Sequence, residues 1–265
     1  MLVRAVSALI LLPTVTLIGY AGGYWFFAMV LVVALLAAQE YDGLLGKGGY
    51  RAQRGWGLCL LLACLIDAQW PEFRLLQWAL PLLVMLSLAW SLRAADLHGA
   101  LVNWALTWAG ALYLGLLLAQ ALTVRRLAQG FEVAVLAAVA TWLSDVCAYS
   151  VGVRFGRRAF SPRISPKKTW EGFWGGVLGG TLAGLAWGAW ALPNLAWPHL
   201  VLMTVLIVVA GVIGDLSESL IKRQVGMKDS GTLIPGHGGM LDRIDSLLFA
   251  IAVAGLYAVW VLGLK

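Results

Sequence analysis

Long apolar runs, broken only by short polar stretches, constrain this chain more than anything else in it. A helix that crosses hydrocarbon needs about 20 mostly apolar residues, because each backbone N–H and C=O must be satisfied inside the segment. Nine stretches meet or approach that length: 4–20, 24–40, 55–70, 75–92, 100–122, 131–153, 172–192, 199–222 and 244–263. The first two are short and joined by Ala21-Gly22-Gly23, which predicts a tight helical hairpin. Of the 265 residues 61% are hydrophobic and 12% charged, whereas soluble domains carry about 25% charged residues. One globular core cannot hide that excess, so lipid must replace water over much of the surface. The expected fold class is therefore all-α, a polytopic integral membrane protein of about nine transmembrane helices. Fourteen Trp residues suit the membrane–water interface. The organisation expected is a string of scaffold helices over 1–130, making dimer or lipid contacts, and a catalytic region over 131–265.

Basic residues set the orientation. Lys47, Arg51 and Arg54 fall in one loop. Arg154, Arg157, Arg158, Arg163, Lys167 and Lys168 fall in a second, and Lys222, Arg223, Lys228 and Arg243 in a third. With nine spans these loops share a side with Arg4, which predicts a cytoplasmic N-terminus and an outward C-terminus. Arg125 and Arg126 dissent, falling across the membrane. The Arg4 segment is read as a retained first span, since no small-residue cleavage site follows it. A net charge of +6 without a Lys/Arg stripe interleaved with aromatics speaks against nucleic acid as a partner. Cys59, Cys64 and Cys147 are odd in number, lack metal or redox spacing, and read as small buried residues.

Chemistry concentrates in the C-terminal half. Asp145 and Asp215 each stand late in an apolar span, where a carboxylate is costly unless it lines a wet cavity or meets a partner. Asp215, Glu218, Ser219 and Lys222 recur at i, i+3, i+4 and i+7, one face of a helix. That face suits either a cavity lining or an interhelical ion-pair cluster. The following loop, from Gln224 to Met240, is dense in Gly and Pro, and such backbone can approach an anion closely. Lys222, Arg223, Lys228 and His237 place cationic or donor groups beside it. Asp242 and Asp245, at i and i+3, open the last span. Acidic residues are favoured in a first helical turn, so this pair suits capping as well as metal binding. Hard oxygen ligands beside phosphate-binding groups suit Mg²⁺, which takes only one or two carboxylates and keeps waters. His98 and His199 read as interfacial residues, and Glu40, Asp42, Asp67 and Asp96 as solvated charges at span ends.

The run Ser219-Leu220-Ile221-Lys222-Arg223, then Lys228-Asp229, His237-Gly238-Gly239 and Asp242-Arg243-Ile244-Asp245 resembles the signature of phosphatidate cytidylyltransferases, or CDP-diacylglycerol synthases. Asp145-Val146-Cys147-Ala148-Tyr149 and Ser165-Pro166-Lys167-Lys168-Thr169-Trp170-Glu171-Gly172 resemble that family's upstream segments. The resemblance covers roughly 140–246; the first 130 residues resemble the family only as a string of apolar spans.

The resemblance implies that CTP and phosphatidate give CDP-diacylglycerol and pyrophosphate, with a Mg²⁺ requirement, a second cation left open, and a homodimer. It implies an inner, plasma-membrane location with the site facing the cytoplasm. Asp215 and Asp242 are then expected to share the metal across the gap between the eighth and ninth spans. Lys222, Arg223, Asp229, His237 and Asp245 are expected in the catalytic machinery. Asp145, Lys167, Lys168, Ser217, Ser219, Lys228 and Arg243 are expected to contact substrate. Three rival readings stand beside this one. A CDP-alcohol phosphatidyltransferase is approached only by Asp42-Gly43-Leu44-Leu45-Gly46-Lys47. A CTP-dependent kinase of isoprenoid alcohols shares the architecture. An ion- or proton-coupled transporter would predict inverted halves, and the sequence shows no internal repeat.

Overall fold

The computed structural model describes residues 2–94, 96–231 and 238–264. Nine α-helices stand among the described residues: α1 Leu2–Ala21, α2 Gly23–Lys47, α3 Arg54–Gln69, α4 Leu75–Ser91, α5 Leu97–Arg126, α6 Gly130–Phe155, α7 Trp170–Ala191, α8 Trp197–Gln224 and α9 Leu241–Leu256. They follow the nine apolar stretches segment by segment. α9 continues into a π-helical turn over Tyr257–Val261. Among the described residues the regular elements are helical apart from a short antiparallel hairpin of β1 Ala159–Ser161 and β2 Ser165–Thr169.

Among the described residues, five segments are long and apolar enough to cross a membrane by length and composition: Gly23–Lys47, Gly99–Arg126, Gly130–Phe155, Trp197–Gln224 and Leu241–Val261. Large apolar side chains cover the outside of the helices, among them Trp25, Leu82, Trp190 and Trp260. Water would penalise every one of them, at about 25 cal/mol per Å² left exposed. The protein is an integral membrane protein of all-α type.

Helix ends follow local chemistry. Gly22 and Gly23 both have positive φ, 65° and 53°, and this is the turn that folds α2 back beside α1. α2 runs seven residues past its predicted apolar end at 40, through Gly43 and Gly46, because Tyr41, Leu44 and Leu45 are buried there. Lys47 closes that helix, and Arg125 and Arg126 close α5, where cations favour the negative end of the helix dipole.

The chain forms two compact units. One comprises residues 1–123 with 224–243; the other comprises 124–223 with 244–265. In the first, Leu60, Leu61 and Leu65 of α3 and Leu114 and Leu122 of α5 are fully buried. The Tyr41 hydroxyl donates to the Leu106 carbonyl at 3.1 Å, and its ring lies against Gly110, where a Cβ would overlap it.

In the second unit α6 packs along α7 through a stripe of glycines. Gly172, Gly176, Gly180, Gly184 and Gly188 recur every fourth residue and all are buried. A Cβ at Gly176 would stand 3.0 Å from the Ala148 Cβ and the Ser144 carbonyl. Small residues let helix backbones approach closely where lipid offers no hydrophobic gain between helices. α8 is admitted in the same way. A Cβ at Gly211 would come within 3.2 Å of Thr141 in α6, and one at Gly214 within 3.1 Å of Phe249 in α9.

Candidate active site

The hairpin that delivers the 165–172 motif is fixed at its base. Ala159 pairs with Thr169 and Ser161 with Ser165, with an irregularity between. The Trp170 N–H donates to the Arg158 carbonyl at 2.9 Å. Thr169 caps α7, its hydroxyl accepting from the Gly172 N–H at 3.1 Å. Phe160 stacks on Phe173 at 5.0 Å and meets Trp170 edge-on at 4.6 Å. Glu171 accepts from the N–H groups of Arg157 and Arg158 at 3.0 and 3.3 Å, and these bonds hold its carboxyl below the usual glutamate range. In the strand so anchored, Lys167 is exposed and Lys168 is half-buried.

Lys168 makes an ion pair with Asp215 of α8. Two sequence motifs 47 residues apart thus meet through opposite charges. Asp215 also accepts from Ser219 at 3.4 Å, one turn on. Glu218, fully buried, pairs with Lys222 at 2.7 Å. The face of α8 predicted from spacing therefore exists, and it is a chain of partnered charges. Asp145 of α6 and Asp245 of α9 stand near enough to Asp215 to repel its carboxylate. Asp245 also accepts its neighbour Ser246's N–H at 2.6 Å. Arg223 reaches the Ile164 carbonyl at 3.3 Å, tying the end of α8 to the hairpin turn. The Ser217 hydroxyl donates back to the Ile213 carbonyl at 2.8 Å.

The remaining predicted residues lie in the other unit. Lys228, Asp229 and Arg243 are exposed. One oxygen of Asp242, Oδ2, accepts from the Ser230 N–H at 3.0 Å, the Ser230 hydroxyl at 2.9 Å and the Gly239 N–H at 3.0 Å. The bond to Gly239, three residues back, ties the start of α9 to the residues just before it. His237 lies outside the described residues.

Glu40, read from sequence as a solvated charge, belongs to this loop. Its carboxylate accepts from the Met240 and Leu241 N–H groups at 2.8 and 2.9 Å, and it lies 2.9 Å from the Ser230 hydroxyl, whose one proton it shares with Asp242. Nothing local in the sequence joins residue 40 to residue 240. The only signal was an acidic residue inside the apolar end of a helix. Its neighbour Asp42 has an ordinary role, facing Arg54 at 3.7 Å.

Mg²⁺ fits the donors present. Among the described residues, no three His, Cys, Asp or Glu side chains form a ready cage for an ion, but Mg²⁺ needs only one or two carboxylates with water and phosphate oxygens. Asp215 repels two other carboxylates, and a divalent cation would relieve that repulsion.

Residues 2–261 match the cytidylyltransferase family. A phosphatidate cytidylyltransferase of Pseudomonas aeruginosa is 35% identical over 267 residues, covering 94% of both chains. One from Bacillus subtilis is 40% identical over 142 residues, 53% of each chain. One from Brucella suis is 40% identical over 135 residues, and that match spans 48% of this chain and about half, 47%, of the relative.

Proposed function

Because the chain belongs to the cytidylyltransferase family, we propose that it transfers the cytidylyl group of CTP to phosphatidate, giving CDP-diacylglycerol and pyrophosphate. The observation that carries this reading is the ion pair between Lys168 and Asp215, which joins the 165–172 segment to the polar face of α8.

A phosphate oxygen of phosphatidate attacks the α-phosphorus of CTP, the new P–O bond forms, and the bond from that phosphorus to the β-bridging oxygen breaks, releasing pyrophosphate. The lipid phosphate is itself the nucleophile, so no covalent enzyme intermediate is needed. Two polyanions must approach, and positioned positive charge is what such a transfer demands. Lys167, Lys168, Lys222, Arg223, Lys228 and Arg243 supply it, with Ser217, Ser219 and His237 as further donors. Asp145, Asp229 and Asp245 orient those cations. Asp215 and Asp242 would hold Mg²⁺, which supplies counter-charge to the phosphates when bound.

In this reading all nine helices span, the N-terminus is cytoplasmic, and the site faces the cytoplasm from a bacterial-type inner membrane, where CTP is available. The protein works as a homodimer. The test is pyrophosphate release by purified protein in mixed micelles. Release should require CTP, phosphatidate and Mg²⁺ together. Turnover of an isoprenoid alcohol with none of phosphatidate would overturn the assignment.

A further inference from the structure

We propose that Glu40 of α2 is a positioning residue for the proposed transfer, fastening Ser230 to the entry of α9 at Met240 and Leu241 and thereby setting the carboxylate of Asp242. The inference rests on the function proposed above, because it concerns what Asp242 does there.

Glu40 uses both carboxylate oxygens. Oε1 accepts from the Met240 N–H at 2.8 Å; Oε2 accepts from the Leu241 N–H at 2.9 Å and shares the proton of the Ser230 hydroxyl, 2.9 Å away, with Asp242. Met240 and Leu241 are the entry to α9, whose first N–H groups have no partner within the helix. A carboxylate there satisfies two of them and meets the positive end of the helix dipole. Ser230, 5% exposed, lies between the two acids, its hydroxyl 2.9 Å from Glu40 Oε2 and 2.9 Å from Asp242 Oδ2. Its N–H also donates to Asp242. One buried serine thus couples the carboxylate of α2 to that of α9.

The glycines fit this arrangement. A Cβ at Gly231 would stand 2.8 Å from Glu40 Oε1, and one at Gly239 would overlap both Ser230 Oγ and the Glu40 carboxylate. A Cβ at Gly238, whose φ is +83°, would come within 3.0 Å of Asp242 Oδ2. At these positions the missing side chains make room for two carboxylates of the protein itself. Asp242 has one oxygen held by the Ser230 and Gly239 N–H groups, and the single Ser230 hydroxyl proton lies between that oxygen and Glu40 Oε2. Outer partners that fix a carboxylate ligand typically change metal affinity or activity by about 10–100-fold when removed.

The decisive variant is Glu40→Gln. It keeps size but replaces one acceptor oxygen with an NH₂ that faces an N–H donor. Three readouts are taken on the full-length protein in detergent: amide hydrogen exchange over 230–242, kcat and KM for CTP, and the Mg²⁺ concentration giving half-maximal rate. The expected result is faster exchange at Met240 and Leu241, a kcat lower by about tenfold or more, and a higher Mg²⁺ requirement. The KM for CTP should change less than kcat. Gln39→Ala, one residue away on an exposed position, should match wild type in all three. Should Glu40→Gln fail to fold, Ser230→Ala, which removes only the coupling hydroxyl, should show the same directions at smaller size. Wild-type exchange or a wild-type Mg²⁺ requirement in the folded variant overturns the proposal. Exchange is read without substrate. A wild type inactive on CTP and phosphatidate would refute the proposed function, while unchanged exchange would refute the Glu40 clamp.

Discussion

Gly180 lies midway along the stripe that brings α7 against α6, and replacing it with Ala tests whether backbone contact holds these helices. The added Cβ would stand 2.6 Å from the Ala140 carbonyl oxygen, 2.7 Å from the Ser144 Cβ and 2.9 Å from a Val208 methyl. Ordinary contact begins near 3.4 Å, so the helices must part by roughly 0.8 Å (3.4 less 2.6). The two nearest atoms are a backbone carbonyl and a Cβ, and neither can rotate away. Overpacking of this kind costs about 1–3 kcal/mol, and a rigid neighbour puts it in the upper part of that range. Ala gains about 1 kcal/mol over Gly in helix propensity, leaving a net loss of about 1–2 kcal/mol. For a chain of this size that corresponds to a fall of roughly 2–8 °C in melting temperature. Gly46→Ala in α2 is the control, because nothing lies within 4 Å of its added Cβ. It should melt at or slightly above wild type. The assay is thermal unfolding in detergent with all three proteins side by side. A Gly180→Ala protein as stable as Gly46→Ala would refute the close-contact account of α6 and α7.

Three other outcomes are expected. Asp215→Asn and Asp242→Asn keep side-chain size but remove the charge proposed to hold Mg²⁺. Each should stay folded in detergent melting while Mg²⁺-dependent turnover falls about a thousandfold, a deficit of several kcal/mol; near-normal turnover with unchanged Mg²⁺ dependence would contradict the metal role. Lys168→Met should cut kcat/KM for CTP by about 2–4 kcal/mol in transition-state stabilisation, with Lys168→Arg recovering part of it; equal activity of the Met variant would leave Lys168 a structural partner of Asp215 and no more. A reporter fused after Lys265 should read extracytoplasmic and one inserted near Gly48 cytoplasmic, and the reverse pair would contradict the proposed orientation.

Helices were legible in this sequence because hydrocarbon leaves the backbone few alternatives, so length and apolarity nearly determine each element. Edges were less legible. α2 overruns its apolar stretch because Tyr41, Leu44 and Leu45 bury themselves beyond Glu40, and burial depends on neighbours that no local window contains. The polar face of α8 was legible because Asp215, Glu218, Ser219 and Lys222 repeat at helical spacing, and the pairs Glu218–Lys222 and Asp215–Ser219 form within that helix. Lys168 could be read as a substrate contact in the 165–172 segment but not placed opposite Asp215, since its short hairpin carries no apolar periodicity. The glycines of the 226–239 loop read as room for a bound anion. At Gly231 and Gly239 the nearest carboxylate is Glu40, reached across 190 or more residues, and that separation is why sequence reasoning left Glu40 in solvent.

The most direct test of the central claim follows each phosphorus of CTP. Purified protein is given phosphatidate with CTP labelled either at the α- or at the γ-phosphate, and the label is partitioned between the lipid phase and water. Transfer of cytidylyl predicts α-label in a lipid-extractable product and γ-label wholly in aqueous pyrophosphate, in equal amounts. Label from the γ-position appearing in lipid would mean phosphoryl transfer instead, and would contradict the account.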